Sequence, residues 1–297
     1  HSTHSNKSDD NTIVGMIHRS NEEGNNNNER VDDANDDETF LLDLGMEAHD
    51  VSSYDTVQSY HQSPMLQAIN NNNDNNINTV AVLLSAPLAY VGEDGQLHPM
   101  TLLKHDKERI YLEKSFEEAK KNINLTFNFA TVDRLRSVIT LGCQILHYSG
   151  HANPSVLSFE DGYGGVHFVK VKQLKDLLAA GSKSSHSKPV LCVVNACSSR
   201  LAGEAFIEAG VEHVVCIETQ TDVLDNAAIV FTRSFYLAIL KGMTVQEAYE
   251  IGKQVIKTSP HINPAEADKF LLLPEPSSSS LKDDENLHNI AIFNNIP

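Results

Sequence analysis

From Thr79 onward the chain alternates between two hydrophobic rhythms. Thr79-Val80-Ala81-Val82-Leu83-Leu84-Ser85 is a short, unbroken, β-rich apolar run, the mark of a strand buried on both faces. Pro87 through Pro99 reads as loop, with Gly92 and Asp94-Gly95 as turn signals. Residues 106–121 then place Ile110, Leu112, Phe116 and Ala119 near helical spacing and Glu113, Glu117, Lys120 and Lys121 elsewhere, which predicts an amphipathic helix. The alternation continues with a strand over Leu125–Ala130, a helix capped by Thr131 and running through Leu141, and a strand over Gln144–Ser149. Val156–Phe159 and Val166–Val169 flank Asp161-Gly162-Tyr163-Gly164-Gly165 and predict a hairpin. A helix over 171–180 precedes Pro189–Asn195, the most apolar strand of the chain. Leu201–Ala209 reads as a helix stopped by Gly210, Val211–Glu218 as a strand, and 223–240 as a long helix. Thr244 caps a further helix through Ile256, and Phe270–Leu273 is a last strand. Strands alternating with helices imply an α/β sandwich around a mostly parallel sheet of about six strands.

The two ends of the chain read differently. Residues 1–77 hold runs such as Asn25-Asn26-Asn27-Asn28 and few large apolar groups, a composition expected to stay disordered because it cannot bury enough surface to offset chain entropy. Residues 276–297 read as a Ser-rich acidic tail, which leaves 78–275 as the folded domain. The net charge is −17, and residues 1–50 supply much of it, with three Lys or Arg against thirteen Asp or Glu. An acidic chain without a basic stripe argues against nucleic-acid binding. No segment is long and apolar enough to span a bilayer, and no secretory pattern is visible. Cys143, Cys192, Cys197 and Cys216 show no CxxC spacing, which favours reduced thiols and a cytoplasmic location.

In such sheets reactive groups gather beyond the carboxyl ends of strands. Two strand ends stand out: Leu146-His147-Tyr148-Ser149-Gly150-His151-Ala152 and Val193-Val194-Asn195-Ala196-Cys197-Ser198-Ser199. Cys197 follows its strand, as a nucleophile would, whereas Cys143, Cys192 and Cys216 fall in or beside apolar runs and read as core residues. His147 lies on the strand proper and reads as structural, while His105, His167 and His213 read as surface or satisfied histidines. A thiolate is the attacking form of cysteine, and an imidazole can take the thiol proton. Backbone N–H groups at Cys197 and near Gly150–Ala152 could hold a developing oxyanion. Other sites lack their signatures. Gly162-Tyr163-Gly164-Gly165 does not have dinucleotide-loop spacing, and there is no phosphate loop and no Gly-x-Ser-x-Gly elbow. His147 and His151 have Tyr, Ser and Gly between them rather than the Glu of a zinc protease. No metal or other cofactor is expected.

Cys197 lies 46 residues after His151, close to the His-to-Cys spacing of caspases. The chain resembles the caspase-like clan of cysteine peptidases, and within it the CHAT family, which is similar to separase. His147-Tyr148-Ser149-Gly150-His151 resembles the family's His block and Asn195-Ala196-Cys197-Ser198-Ser199 its Cys block. Gly203, Ala209-Gly210-Val211, the stretch from Val223 to Gly242, and Thr244–Ala248 follow in the family's order. The resemblance implies a caspase-like fold, a cysteine endopeptidase with Cys197 as nucleophile and His151 as base, and a protein or peptide substrate. The residue after the family's histidine is usually Gly, and here it is Ala152, which favours an alternative: a catalytically silent module that binds and regulates a partner protein. Asn195 resembles a position that is Gln in caspases and Asp in metacaspases. Asp222-Val223-Leu224-Asp225 resembles a separase segment that gives acid to a pocket for basic residues. Together with Glu218 these residues are the candidate substrate pocket, although Asp225 could simply cap the next helix and Glu218 could face solvent.

Overall fold

A computed structural model of the protein describes residues 78–92, 94–180, 188–275 and 287–294. The acidic segment 1–77 lies outside these residues. The strands are β1 (Thr79–Leu84), β2 (Ala89–Val91), β3 (Leu97–Pro99), β4 (Asn124–Phe129), β5 (Ile145–Ser149), β6 (Ala152–Asn153), β7 (Val156–Glu160), β8 (Val166–Lys170), β9 (Leu191–Asn195), β10 (His213–Ile217) and β11 (Phe270–Leu273). The helices are α1 (His105–Ala119), α2 (Val132–Leu141), α3 (Val171–Ala180), α4 (Arg200–Glu208), α5 (Asp225–Leu240) and α6 (Val245–Thr258).

The main sheet has six strands in the order β11-β10-β9-β5-β1-β4. All pairs are parallel except β10 with β11. The expected caspase-like α/β sandwich is therefore present. Strand alternation sends Leu83, Leu146, Tyr148, Cys192, Val194 and Cys216 to one face, where Leu135 and Val138 of α2, Leu174 of α3 and Phe206 of α4 cover them. The other face meets α1 and α5: His147 touches Glu108 and Tyr236, and Phe231 stacks on Phe270 at 4.1 Å. Burying a side chain such as Phe231, 1% exposed, stabilises the fold by about 1.5–3 kcal/mol. At Gly252 of α6 a Cβ would meet the Phe231 ring at 2.7 Å, so glycine lets α6 close on α5.

Local signals act as the sequence predicts. Thr131 Oγ1 accepts from Arg134 N at 3.1 Å, and Thr244 forms a capping box with Glu247. Two segments differ. The stretch expected as loop contains the β2–β3 hairpin, whose turn buries little and so leaves a weak hydrophobic pattern. Residues 287–294, expected as tail, pack on the domain: Val245 N donates to Ile290 O and Gln246 N to His288 O, both at 3.0 Å, and Phe293 is 1% exposed.

Candidate active site

β5 and β9 are neighbours, with Ser149 opposite Asn195. Beyond that pair the two chains part, one to Gly150-His151 and the other to Ala196-Cys197, and the segment between β3 and α1 borders them through Thr101 and Leu103–His105. The result is a cleft of about 430 Å³ lined by Leu103, Lys104, His105, Glu108, Gly150, His151, Asn195, Cys197, Val223 and Asp225, among others. The two expected reactive residues therefore share one cleft at the carboxyl ends of adjacent parallel strands.

His151 Nε2 lies 2.7 Å from Thr101 O. A carbonyl only accepts, so Nε2 carries the hydrogen, and a neutral ring keeps Nδ1 as a free lone pair. Burial lowers the pKa of His151 against the opposing pull of Thr101 O and Asp225, which favours that neutral ring. Cys197 is half-buried, and burial pushes its thiol up to about 12, reinforced by the carboxylates of Asp222 and Asp225 and opposed by the N–H of Val223. Burial thus disfavours the charged form of both side chains.

The loop that carries Cys197 is tightly held. Ser198 has a φ of 51°, and its N–H donates to Thr221 O at 3.0 Å. Ser199 is fully buried; its hydroxyl donates to Val194 O and accepts from Ile217 N, both at 3.0 Å. Among the described residues no backbone acceptor takes the N–H of Cys197. The N–H of Gly150 donates to Asn195 O at 3.3 Å and is not free for an oxyanion. Ser158 N donates to His151 O at 2.9 Å, so Ala152, opposite Leu157, falls on the non-bonded position of the β6–β7 ladder and aims its N–H away from β7. Ala152 has no positive φ and needs no glycine. Gly150 does: a Cβ there would meet Tyr148 Oη at 2.6 Å and Ser85 Cβ at 2.7 Å.

The candidate pocket residues divide. Asp225 lines the cleft; burial raises its pKa, and the backbone N–H of Lys104 is bonded to it. It is the first residue of α5 rather than its cap, which is Leu224. Asp222 is exposed and lies beside the thiol. Asn195 lines the cleft, but its Nδ2 donates to Glu108 Oε1 at 2.7 Å. Glu218 is not brought to the cleft: it pairs with Arg200 Nη1 at 3.0 Å, in a cluster that includes Glu275 at 2.6 Å. Its nearness in sequence to a strand end did not reveal which way the side chain turns.

Three further residues enter the site that the sequence reading did not place there. Thr101 acts through its carbonyl, which any residue type would supply. His105, expected as a surface or satisfied histidine, is buried and lines the cleft, with Nε2 unpartnered. Glu108, 4% exposed, accepts from His147 Nε2 at 3.1 Å, while His147 Nδ1 meets Tyr236 Oη at 3.1 Å. Burial would raise the Glu108 pKa, but His147 and the Ser149 hydroxyl hold it down at about 2. Cys143, Cys192 and Cys216 are buried and free, as core residues. Among the described residues no group of three or more His, Cys, Asp or Glu could hold a metal, and no helix is long and apolar enough to cross a membrane.

Sheet order, strand ends and cleft together define a caspase-like domain. The chain matches the CHAT domain over residues 34–287, most of its 297 residues, and belongs to that family. The match begins within the acidic N-terminal segment and ends at the start of the packed stretch 287–294. Among solved structures the chain is similar to the Arg-specific cysteine proteinase gingipain R, at 11% identity and a TM-score of 0.45 over 65% of this chain and 45% of that one. It is also similar to the complex of the pro- and mature domains of RgpB from Porphyromonas gingivalis, at 10% identity and a TM-score of 0.39 over 65% and 46%. The chain spans less than half the length of either. No curated protein sequence matches it.

Proposed function

We propose that this CHAT domain is a cysteine endopeptidase in which Cys197 is the nucleophile and His151 the base. The observation that carries the reading is the shared cleft: His151 and Cys197 leave adjacent strands at the opposed pair Ser149 and Asn195, and Thr101 O fixes the ring with Nδ1 free. Because the resting thiol is protonated, His151 takes its proton as sulfur attacks the scissile carbonyl. A tetrahedral intermediate forms, and the N–H of Cys197, which no backbone acceptor takes among the described residues, is available to its oxyanion. His151 then gives the proton to the leaving amine, leaving a thioester that water hydrolyses. Asp225, with Asp222 at the rim, favours Arg or Lys before the scissile bond by direct pairing. The test is cleavage of a peptide library by the wild type, Cys197→Ala and Asp225→Asn. Loss of all cleavage in the first variant and of the basic preference in the second is the expected result. Identical digests from wild type and Cys197→Ala would refute the reading.

The thiol pushed up to about 12 favours a second reading, a silent caspase-like module that binds and regulates a partner protein. Under it, Cys197 resists a thiol-reactive peptide probe and no peptide is cut.

A further inference from the structure

Glu108 stands out because a buried carboxylate is costly. Desolvating it costs several kcal/mol, and an apolar side chain of similar size would often be no less stable. The fold nevertheless keeps it, on the first turns of α1, beneath the cleft. Its Oε1 alone accepts from Asn195 Nδ2 at 2.7 Å and His147 Nε2 at 3.1 Å, and the Ser149 hydroxyl also bonds the carboxylate.

The placement of these donors follows from strand geometry. Side chains two apart share a face, so His147 and Ser149 of β5 point to the α1 side, as does Asn195 of β9. Ser149 and Asn195 are directly opposed, the last paired residues before the strands diverge. Ser149 lies two residues before His151 and Asn195 two residues before Cys197. One carboxylate thus grips both strands at the point from which each reactive side chain is launched. The bond from Gly150 N to Asn195 O ties the same point through the backbone.

We infer that Glu108 is a positioning residue for the reaction: by gripping Asn195 and Ser149 it fixes the separation and direction of the two chain ends that carry Cys197 and His151. This rests on the peptidase reading. Glu108 acts through Asn195, and it need not touch substrate. Its contribution appears in the turnover step, because a displacement of about 1 Å in a reacting pair costs on the order of a hundredfold in rate.

The experiment is a double-mutant cycle on the full chain, read as kcat and KM at a temperature where every variant is folded by circular dichroism. Asn195→Ala and Glu108→Ala are each expected to lower kcat by about a hundredfold with KM changed by less than about threefold. The pair together is expected to be no worse than either alone, since both remove one unit. Glu108→Gln is expected to recover kcat to within about tenfold, because its carbonyl oxygen still accepts both bonds. Should Glu108→Ala not fold, Glu108→Gln against Asn195→Ala decides the matter. Wild-type kcat in Asn195→Ala, or losses that simply multiply in the double variant, would overturn the inference while leaving the peptidase reading standing. A second readout is independent of cleavage: alkylation of Cys197 by iodoacetamide is expected to slow about tenfold in Asn195→Ala and in His151→Ala alike. If no variant and no wild type cleaves yet this slowing appears, the peptidase reading fails, and only the alignment of Cys197 with His151 through Asn195 stands. Equal alkylation in Asn195→Ala and wild type removes it.

Discussion

Two buried histidine clusters lie on the parallel sheet, one beneath the cleft and one at the amino end of β10, and they are built on opposite principles. Under the cleft, His147 faces a carboxylate and a phenol, and each ring nitrogen has a partner. At the amino end of β10, among the described residues, His213 pairs with another histidine: Nδ1 of His213 and Nδ1 of His288 are 2.9 Å apart. His288 Nε2 lies 3.1 Å from Pro274 O and so carries a hydrogen, which leaves its Nδ1 as the acceptor for His213. That arrangement needs a neutral His288, and protonating His213 would bury an N–H at its unpartnered Nε2. Burial first, and His288 second, lower His213 to about 4, and burial lowers His288 as well. A second histidine beside a buried histidine makes a cluster that protonation breaks.

The largest expected effect comes from removing the acid. Glu108→Ala leaves His147 and the Asn195 amide buried without their acceptor, and it should cost about 3–5 kcal/mol in urea unfolding. Gly150→Ala sharpens the same end of the sheet by sterics alone. Its Cβ meets Tyr148 and Ser85 well inside contact distance, so about 1–3 kcal/mol is expected, against little change for Ala152→Gly. A thermal melt of the two variants checks this.

Acidification should separate the two clusters. Both His213 and His288 are lowered on folding, so their contribution is whole above the ordinary histidine value of 6.5. It is lost as the pH falls through that value toward about 4. Glu108 is lowered from 4.5 to about 2, so its contribution persists until the pH drops below 4.5. Hydrogen exchange at Val245 and Gln246, whose amides bond Ile290 O and His288 O, should therefore quicken between pH 6.5 and 4, before exchange at β5 does. Simultaneous loss at both clusters would erase the distinction. The smallest effect is His288→Asn, which removes the like-type partner and should flatten the acid response at Val245 with little change at neutral pH.

The comparison also marks what the sequence could reveal. The strands of the main sheet and the helices were legible because each bears an apolar run, an apolar alternation or a helical stripe, and Cys197 and His151 because each follows a strand. Glu108 was hidden among the acids of α1: a charged residue in an amphipathic helix looks solvated until the strand beneath it is known to carry His147 and Asn195. Thr101 was illegible because its carbonyl acts. The packing of 287–294 was masked by the Ser-rich stretch before it, although Ile290 and Phe293 were its signal. Gly150 rather than position 152 proved to be where the His block needs a glycine, because Tyr148 and Ser85 close on it in space.

The central claim is a working Cys197–His151 pair, and the most direct measurement is mass-spectrometric digestion of a peptide library by the full chain with Cys197→Ala and His151→Ala beside it. The account predicts cleavage by the wild type, loss of cleavage in both variants with circular dichroism unchanged, and an acid limb below pH 6.5 set by His151. Cleavage that survives either substitution, or a folded wild type that cuts nothing, would contradict it.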